Sequence, residues 1–111
     1  MQARLRQAWS SASSTRWTPA NPALGQCSAT ALMVRAAFGG DLLKTLVRFE
    51  GAAAWHFYNR IGGARFDFTA GQFAGPIGYD DQPATEAEAL ADTSPAQVAA
   101  LTAAFSAAAT R

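Results

Sequence analysis

The spacing of the apolar residues changes along the chain, and each spacing predicts a different element. Near the amino terminus, Leu5, Ala8, Trp9 and Ala12 share one helical face, which predicts a short amphipathic helix ending in the Ser-rich segment 10–15. A loop containing proline and glycine follows. The next segment, GQCSATALMVRAAFGG, is helical in composition and apolar on every side. We therefore expect it to form a central helix that other elements cover.

From residue 43 to residue 50 the apolar period becomes two, which is typical of a strand with one partly wet face. The segments AWHFYNRI and ARFDFT, joined across Gly62 and Gly63, predict a β-hairpin, since a Gly-Gly turn accepts positive φ at both central positions. A two-residue loop pairs residue 61 with residue 64 and Tyr58 with Asp67. In that register His56 and Asp67 are diagonal neighbours on one face, and Asn59 is a polar misfit on the apolar face.

Two sequences with the spacing of a capping box mark the later part of the chain. The first, Thr69 to Gln72, predicts a brief helical turn, and residues 75–85 then form a loop. The second, Ser94 to Gln97, predicts the start of a carboxyl-terminal helix, since Pro95 suits the first helical position. We expect this helix to pack on the sheet or on the first helix through a stripe of Val98, Leu101, Phe105 and Ala108.

These elements predict a single α+β domain over residues 1–111. Its centre is a Cys-bearing helix packed on a small antiparallel sheet of about three strands, with amino- and carboxyl-terminal helices around it.

Composition and charge narrow the possible partners. Nine Lys plus Arg residues and eight Asp plus Glu residues give a net charge of +1, and the basic residues are scattered, which argues against binding of nucleic acid. The amino terminus lacks the apolar run of a secretory signal, and the Ala-rich carboxyl terminus is a poor membrane span. The single cysteine forms no internal disulfide. We therefore expect a cytoplasmic protein that does not bind a membrane, whose oligomeric state the sequence leaves open.

Three residues are candidates for chemistry: Cys27 at a helix start, His56 on a strand and Asp67 on the partner strand. Each also has a structural interpretation. A lone cysteine in an apolar segment is usually a small buried hydrophobe, and a histidine among aromatic residues is usually packed and hydrogen-bonded. In this interpretation Asp67 pairs with Arg60 or Arg65, which the same register brings close.

In the catalytic interpretation the three residues form a Cys-His-Asp triad. Their order, with the cysteine on a helix first and the histidine and aspartate on adjacent strands, resembles a papain-like or transglutaminase-like arrangement, and we expect a minimal domain of the papain-like type. The helix amino terminus favours the Cys27 thiolate, His56 moves the proton, and Asp67 orients the imidazole. The amide of Cys27, together with the side chain of Gln26 or Asn21, would donate hydrogen bonds to an oxyanion. No cofactor is expected. No metal is expected either, since Cys27, His56 and Asp67 fall short of a closed zinc site and no further ligands follow Asp80 and Asp81 at the spacing of a metal site.

Several spaced motifs resemble a known family. The segments NPALGQCSATALMV, FGGDLLK and WHFYNRIGGARFDFTAGQF, within residues 17–73, are similar to the YunG-like family of small bacterial proteins. An inserted GAAA before Trp55 departs from that pattern. The resemblance implies an architecture and shared positions rather than a reaction. Those positions are Asn21, Pro22, Gly25, Gln26, Cys27, Thr30, Gly39, Gly40, His56, Asn59, Asp67, Thr69, Gln72 and Phe73.

The favoured hypothesis is a minimal cysteine hydrolase or acyltransferase that acts on peptide, isopeptide or amide bonds, in a small-molecule, peptide or protein substrate that the sequence does not identify. The alternative is a non-catalytic binding or regulatory domain in which these residues are structural. A third possibility is a redox-sensing thiol at Cys27.

Overall fold

The structure, a computed structural model, describes residues 1–108 and has an α+β fold with an antiparallel sheet, as the sequence predicts. Its helices are α1 (Gln2–Ala8), α2 (Cys27–Phe38), α3 (Glu86–Leu90) and α4 (Pro95–Ala108). Its strands are β1 (Asp41–Phe49), β2 (Ala52–Ile61), β3 (Ala64–Phe66) and β4 (Gln82–Pro83), with a 3-10 turn at Ala70–Gln72. The four strands lie in the order β3-β2-β1-β4.

Helix α2 is central and packs on the sheet. All eight residues from Cys27 to Val34 are buried, which explains why the helix is apolar on every side. The helix contacts β2, and the side chain of Asn59 donates a hydrogen bond from Nδ2 to the carbonyl oxygen of Ala31, 3.0 Å away. The polar misfit on the apolar face of β2 is therefore a tie between the sheet and the helix.

The hairpin has the predicted register. Ile61 pairs with Ala64 and Arg60 pairs with Arg65, and the turn residues Gly62 and Gly63 have φ values of 57° and 81°. The second strand of the hairpin, β3, is shorter than predicted because the chain leaves the β-ladder at Asp67. The carboxylate of Asp67 accepts a hydrogen bond from the backbone N–H of Thr69 at 3.3 Å, which turns the chain toward the 3-10 turn.

The two predicted capping boxes, at Ser94 and at Thr69, differ in how well they match the structure. At the start of α4, the Ser94 side chain accepts a hydrogen bond from the N–H of Gln97, which is one half of the predicted box, whereas the Gln97 side chain accepts from the hydroxyl of Thr93. The predicted box at Thr69 is wrong, because the Thr69 side chain makes no cap and bonds to Asp67 instead. The segment between the hairpin and α4 contains β4 and α3, whereas the sequence pattern predicts a loop over residues 75–85 and no element where α3 lies. Helix α3 begins with a complete capping box formed by Thr85 and Glu88.

Helix α4 packs against α1 and α2 rather than on the sheet. Leu101 and Phe105 of the predicted stripe are buried, and Val98 is partly buried between two apolar clusters. One cluster joins α1, α2 and α4, and the other joins α2 to the sheet and α3. Helix α2 therefore contributes to both halves of the core. Within residues 1–108, no helix is long and apolar enough to cross a membrane.

Candidate functional site

The side chain of Cys27 lies beside a small cavity at the amino-terminal end of α2. Cys27 is the first residue of that helix and is 7% exposed. The cavity has a volume of about 50 Å³, and Cys27 and His56 both line it together with Gly25, Gln72 and Phe73. The fold thus brings the single thiol and the single histidine, 29 positions apart in the sequence, to one cavity.

The imidazole of His56 is held on one side by Asp67. His56 pairs with Thr45 of β1 and is 1% exposed, and its Nε2 atom lies 2.7 Å from Oδ2 of Asp67. The Asp67 side chain is itself 5% exposed and also accepts a hydrogen bond from the hydroxyl of Tyr79 at 2.8 Å. The ring of Phe73 packs edge-on against the imidazole with 4.9 Å between ring centroids. These contacts fix the orientation of the imidazole.

The other ring nitrogen of His56 is free within the described part of the chain. Nδ1 is buried and has no hydrogen-bond partner among residues 1–108. Burial by itself lowers the pKa of His56, but the hydrogen bond to Asp67 and the interaction with Cys27 outweigh it and raise the pKa to about 9. The protonated imidazole is therefore stabilised between a carboxylate and a sulfur.

The structural interpretation predicts that Asp67 pairs with Arg60 or Arg65, and this prediction is wrong. Arg60 pairs with Asp41 at 3.0 Å, and Arg65 pairs with Asp81 at 2.6 Å. Because both arginines pair elsewhere, the partners of the Asp67 carboxylate are His56, Tyr79 and Thr69.

Asp81 has a second partner besides Arg65. It accepts a hydrogen bond from the hydroxyl of Tyr58, and burial together with that bond raises the pKa of Tyr58 to about 12. Hydrogen bonds from Arg65, and to a smaller extent the bond from Tyr58, lower the pKa of Asp81 to about 2. Asp81 therefore stays ionised at neutral pH and belongs to a separate cluster.

The two residues predicted to assist an oxyanion point elsewhere. Gln26 is completely buried and donates from Nε2 to the carbonyl oxygen of Ser10 at 3.3 Å. Asn21 donates from Nδ2 to the carbonyl oxygen of Gln72 at 3.2 Å. Neither residue lines the cavity with Cys27.

Gln72 is the residue at the cavity that the sequence reasoning missed. It is 8% exposed, its Oε1 atom accepts the backbone N–H of Gly25, and its Nε2 atom is buried without a partner among residues 1–108. Its place among the positions of the YunG-like motif indicates a role for Gln72, whereas its spacing from Thr69 favours a capping box.

A wider groove adjoins the cavity. It has a volume of about 560 Å³ and runs between the end of β1 and residues 73–78. Val47, Phe49 and Phe73 line both spaces, so the groove and the cavity share one apolar wall. Two exposed side chains of opposite charge, Arg16 and Asp92, also border the cavity.

The described residues do not form a metal centre. Within residues 1–108, no three His, Cys, Asp or Glu side chains are grouped so that they could hold a metal ion. The chemistry that this cavity supports by itself is that of a thiol beside an oriented imidazole.

Comparisons with known proteins agree on one family. A family model described as "YunG protein" matches residues 1–110. The "Uncharacterized protein YunG" of Bacillus subtilis (strain 168) is 45% identical over 102 residues, which cover 92% of this chain and 85% of that relative. No solved structure matches the chain. The family match spans the cavity and every element around it, and we conclude that the chain belongs to the YunG family.

Proposed function

We propose that this protein is a cysteine hydrolase or acyltransferase that acts on peptide, isopeptide or amide bonds. One observation carries the proposal: the free Nδ1 atom of His56 belongs to a residue that lines the same cavity as Cys27, while Nε2 is bound to Asp67. An imidazole with one nitrogen anchored by a carboxylate and the other directed to a nucleophile is the arrangement that proton transfer needs.

In the proposed reaction, His56 holds the proton of the Cys27 thiol, and the thiolate attacks the carbonyl carbon of the substrate. The carbonyl π electrons move to oxygen. The tetrahedral intermediate then collapses, the carbon–nitrogen bond breaks, and His56 gives its proton to the leaving amine. Water or a second amine attacks the thioester carbon and loses a proton to His56. The carbon–sulfur bond then breaks, and Cys27 leaves as the thiolate beside the protonated His56, as at the start. Hydrolysis and acyl transfer therefore differ only in the second nucleophile.

Asp67 would orient His56 and stabilise its protonated form. Its Oδ2 atom accepts hydrogen bonds from both His56 and Tyr79, and its Oδ1 atom accepts from Thr69. These bonds keep the carboxylate in place without a contact to the substrate. A reducing cytoplasm suits this proposal, since the reaction needs a free thiol.

The burial of the site favours the alternative, a non-catalytic binding or regulatory domain. Cys27 is 7% exposed and His56 is 1% exposed, as in a packed core. This alternative predicts a thiol that reacts slowly and independently of His56. The two hypotheses therefore differ in a quantity that is measurable without a known substrate.

The experiment is the rate of Cys27 alkylation by iodoacetamide at pH 7, followed by intact-protein mass spectrometry. For a catalytic site we expect His56→Ala to slow the reaction about 10-fold or more, since the imidazole then no longer holds the thiol proton. We expect Asp67→Asn to slow it in the same direction.

Arg60→Ala is the control for this experiment. Arg60 lies on β2, as His56 does, but pairs with Asp41 on the surface, so its loss leaves the alkylation rate unchanged. Circular dichroism checks that each variant is folded. Equal alkylation rates for the folded wild type, His56→Ala and Asp67→Asn would contradict the proposed function and support the non-catalytic alternative.

A further inference from the structure

The side-chain amide of Gln72 has an orientation that its chemistry determines. The backbone N–H of Gly25 faces this amide, with 3.2 Å between the Gly25 nitrogen and Oε1 of Gln72. A backbone N–H can only donate, so the amide oxygen must face it. The Nε2 group therefore points away from Gly25.

The backbone on either side holds Gln72 in place. Its N–H donates to the carbonyl oxygen of Thr69, and its own carbonyl oxygen accepts from Nδ2 of Asn21. Gln72 is thus fixed at both ends of its residue and at the tip of its side chain. A donor held in this way is preorganised, as a group that stabilises a transition state needs to be.

The Nε2 group of Gln72 nevertheless has no partner among residues 1–108, although it is buried. Buried N–H groups in folded proteins are almost always satisfied, and each exception needs an explanation. Gln72 lines the cavity together with Cys27 and His56. His56 contributes a second unpartnered buried nitrogen, so two of the three residues, all of which line this small cavity, each have a buried polar atom without a partner among residues 1–108.

We propose that the Nε2 group of Gln72, with the backbone N–H of Cys27, donates the hydrogen bonds that stabilise the oxyanion formed on the substrate. This inference rests on the proposed function and replaces Gln26 and Asn21 in that role. When the Cys27 thiolate forms its bond to the carbonyl carbon, the π electron pair moves to the carbonyl oxygen, and Gln72 binds the resulting negative charge. When the pair returns, the carbon–nitrogen bond breaks and the amine takes the proton from His56.

The second donor comes from the position of Cys27 in α2. Cys27 is the first residue of the helix, and the first N–H groups of a helix have no carbonyl within the helix to accept them. The positive end of the helix dipole also favours a negative charge there. Gln72 and the helix end therefore supply a side-chain donor and a backbone donor for one oxygen.

The test compares two reactions of Cys27. Acylation by p-nitrophenyl acetate passes through an oxyanion, whereas alkylation by iodoacetamide is a displacement at a saturated carbon and forms none. Gln72→Met keeps the side-chain length and removes the donor. Gln72→Glu keeps an oxygen acceptor for the Gly25 N–H and also removes the donor. We expect the p-nitrophenolate burst rate of Gln72→Met to fall about 100-fold, while its alkylation rate changes by about twofold or less. Gln72→Glu should likewise lose more acylation than alkylation.

Gln7→Met is the matched control, since Gln7 is exposed on α1, away from the cavity, and both of its rates should equal those of the wild type. Mass spectrometry confirms that the acetyl group is on Cys27, and thermal unfolding confirms the fold of each variant. Parallel losses of acylation and alkylation in both Gln72 variants would overturn the inference, because Gln72 would then only hold the helix end. An unchanged burst in both variants would also overturn it. A wild type without a burst and without alkylation that depends on His56 would instead overturn the proposed function, and the inference with it.

Discussion

At the scale of single residues, His56 links the sheet to the thiol. The Nε2 atom of its buried imidazole lies 2.7 Å from Oδ2 of Asp67, and the imidazole also interacts with Cys27. These two interactions raise the pKa of His56 against the effect of burial. A group whose pKa is higher in the folded than in the unfolded protein stabilises the fold when it is protonated. The stabilisation is complete below the unfolded value of 6.5 and is lost as the pH rises through about 9.

We therefore expect the free energy of unfolding of the wild type to fall between pH 6.5 and about 9, as His56 loses its proton. In Asp67→Asn this slope should be much smaller, because burial then keeps the imidazole neutral. Urea denaturation at a series of pH values measures the slope, and NMR titration of His56 measures the midpoint directly. Asp81→Asn is the control, since hydrogen bonds from Arg65 lower the pKa of Asp81 to about 2, outside this range. A wild-type His56 that titrates below pH 6.5 would contradict the expectation.

At the scale of elements, the two glycines after α2, Gly39 and Gly40, are required for different structural reasons. Both have positive φ, 78° at Gly39 and 82° at Gly40, as the reversal from helix to strand β1 requires. A β-carbon at Gly39 would meet nothing within 4 Å, whereas one at Gly40 would collide with the carbonyl oxygen of Arg60 in β2. Gly39 is therefore needed for its backbone angles, and Gly40 also for its lack of a side chain.

This pair of glycines allows the two effects to be separated. We expect Gly39→Ala to cost about 1–2 kcal/mol of stability from backbone strain, and Gly40→Ala to cost about 1–3 kcal/mol more because the strand must move away. Chemical denaturation of both variants gives the difference. Equal losses of stability in the two variants would show that the close approach of Gly40 to the carbonyl oxygen of Arg60 adds nothing to the cost.

At the scale of the whole molecule, α4 completes the core without contributing to the cavity. It packs on α1 and α2 and buries Leu101 completely. The cavity is lined from α2 and the loop before it, the sheet, the segment around the 3-10 turn, and Asp92 in the connection between α3 and α4. We therefore expect changes in α4 to affect the stability of the protein more than the reactivity of Cys27.

Leu101→Ala should accordingly lower the free energy of unfolding by about 2–5 kcal/mol, because it leaves a cavity between α4, α1 and α2. The alkylation rate of the folded protein at Cys27 should stay within about twofold of the wild type. Thr102→Ala, at the exposed neighbouring position, is the control and should change stability by about 0.5 kcal/mol or less. A large change in the alkylation rate of folded Leu101→Ala would show that α4 does shape the site.

The sequence by itself determined the features that depend on neighbouring residues. The period of two from residue 43, the Gly62-Gly63 turn and the apolar segment from Cys27 to Val34 predicted the strand, the hairpin register and the central helix. These patterns are local: a turn sets the register, and the period of apolar residues reports which face is buried. The register also predicted that His56 and Asp67 are neighbours on one face.

Only the tertiary structure decided which polar groups are paired. Gln26 and Gln72 are the same residue type, yet Gln26 donates to Ser10, whereas Gln72 lines the cavity and its Nε2 atom has no partner among residues 1–108. The hydrogen bond from Tyr79 to Asp67 likewise joins separate segments of the chain. Cys27 and His56, which line one cavity, also lie far apart in the sequence. Such contacts depend on how the helices, strands and loops pack against each other. The local spacing of residues along the sequence carries no information about that packing.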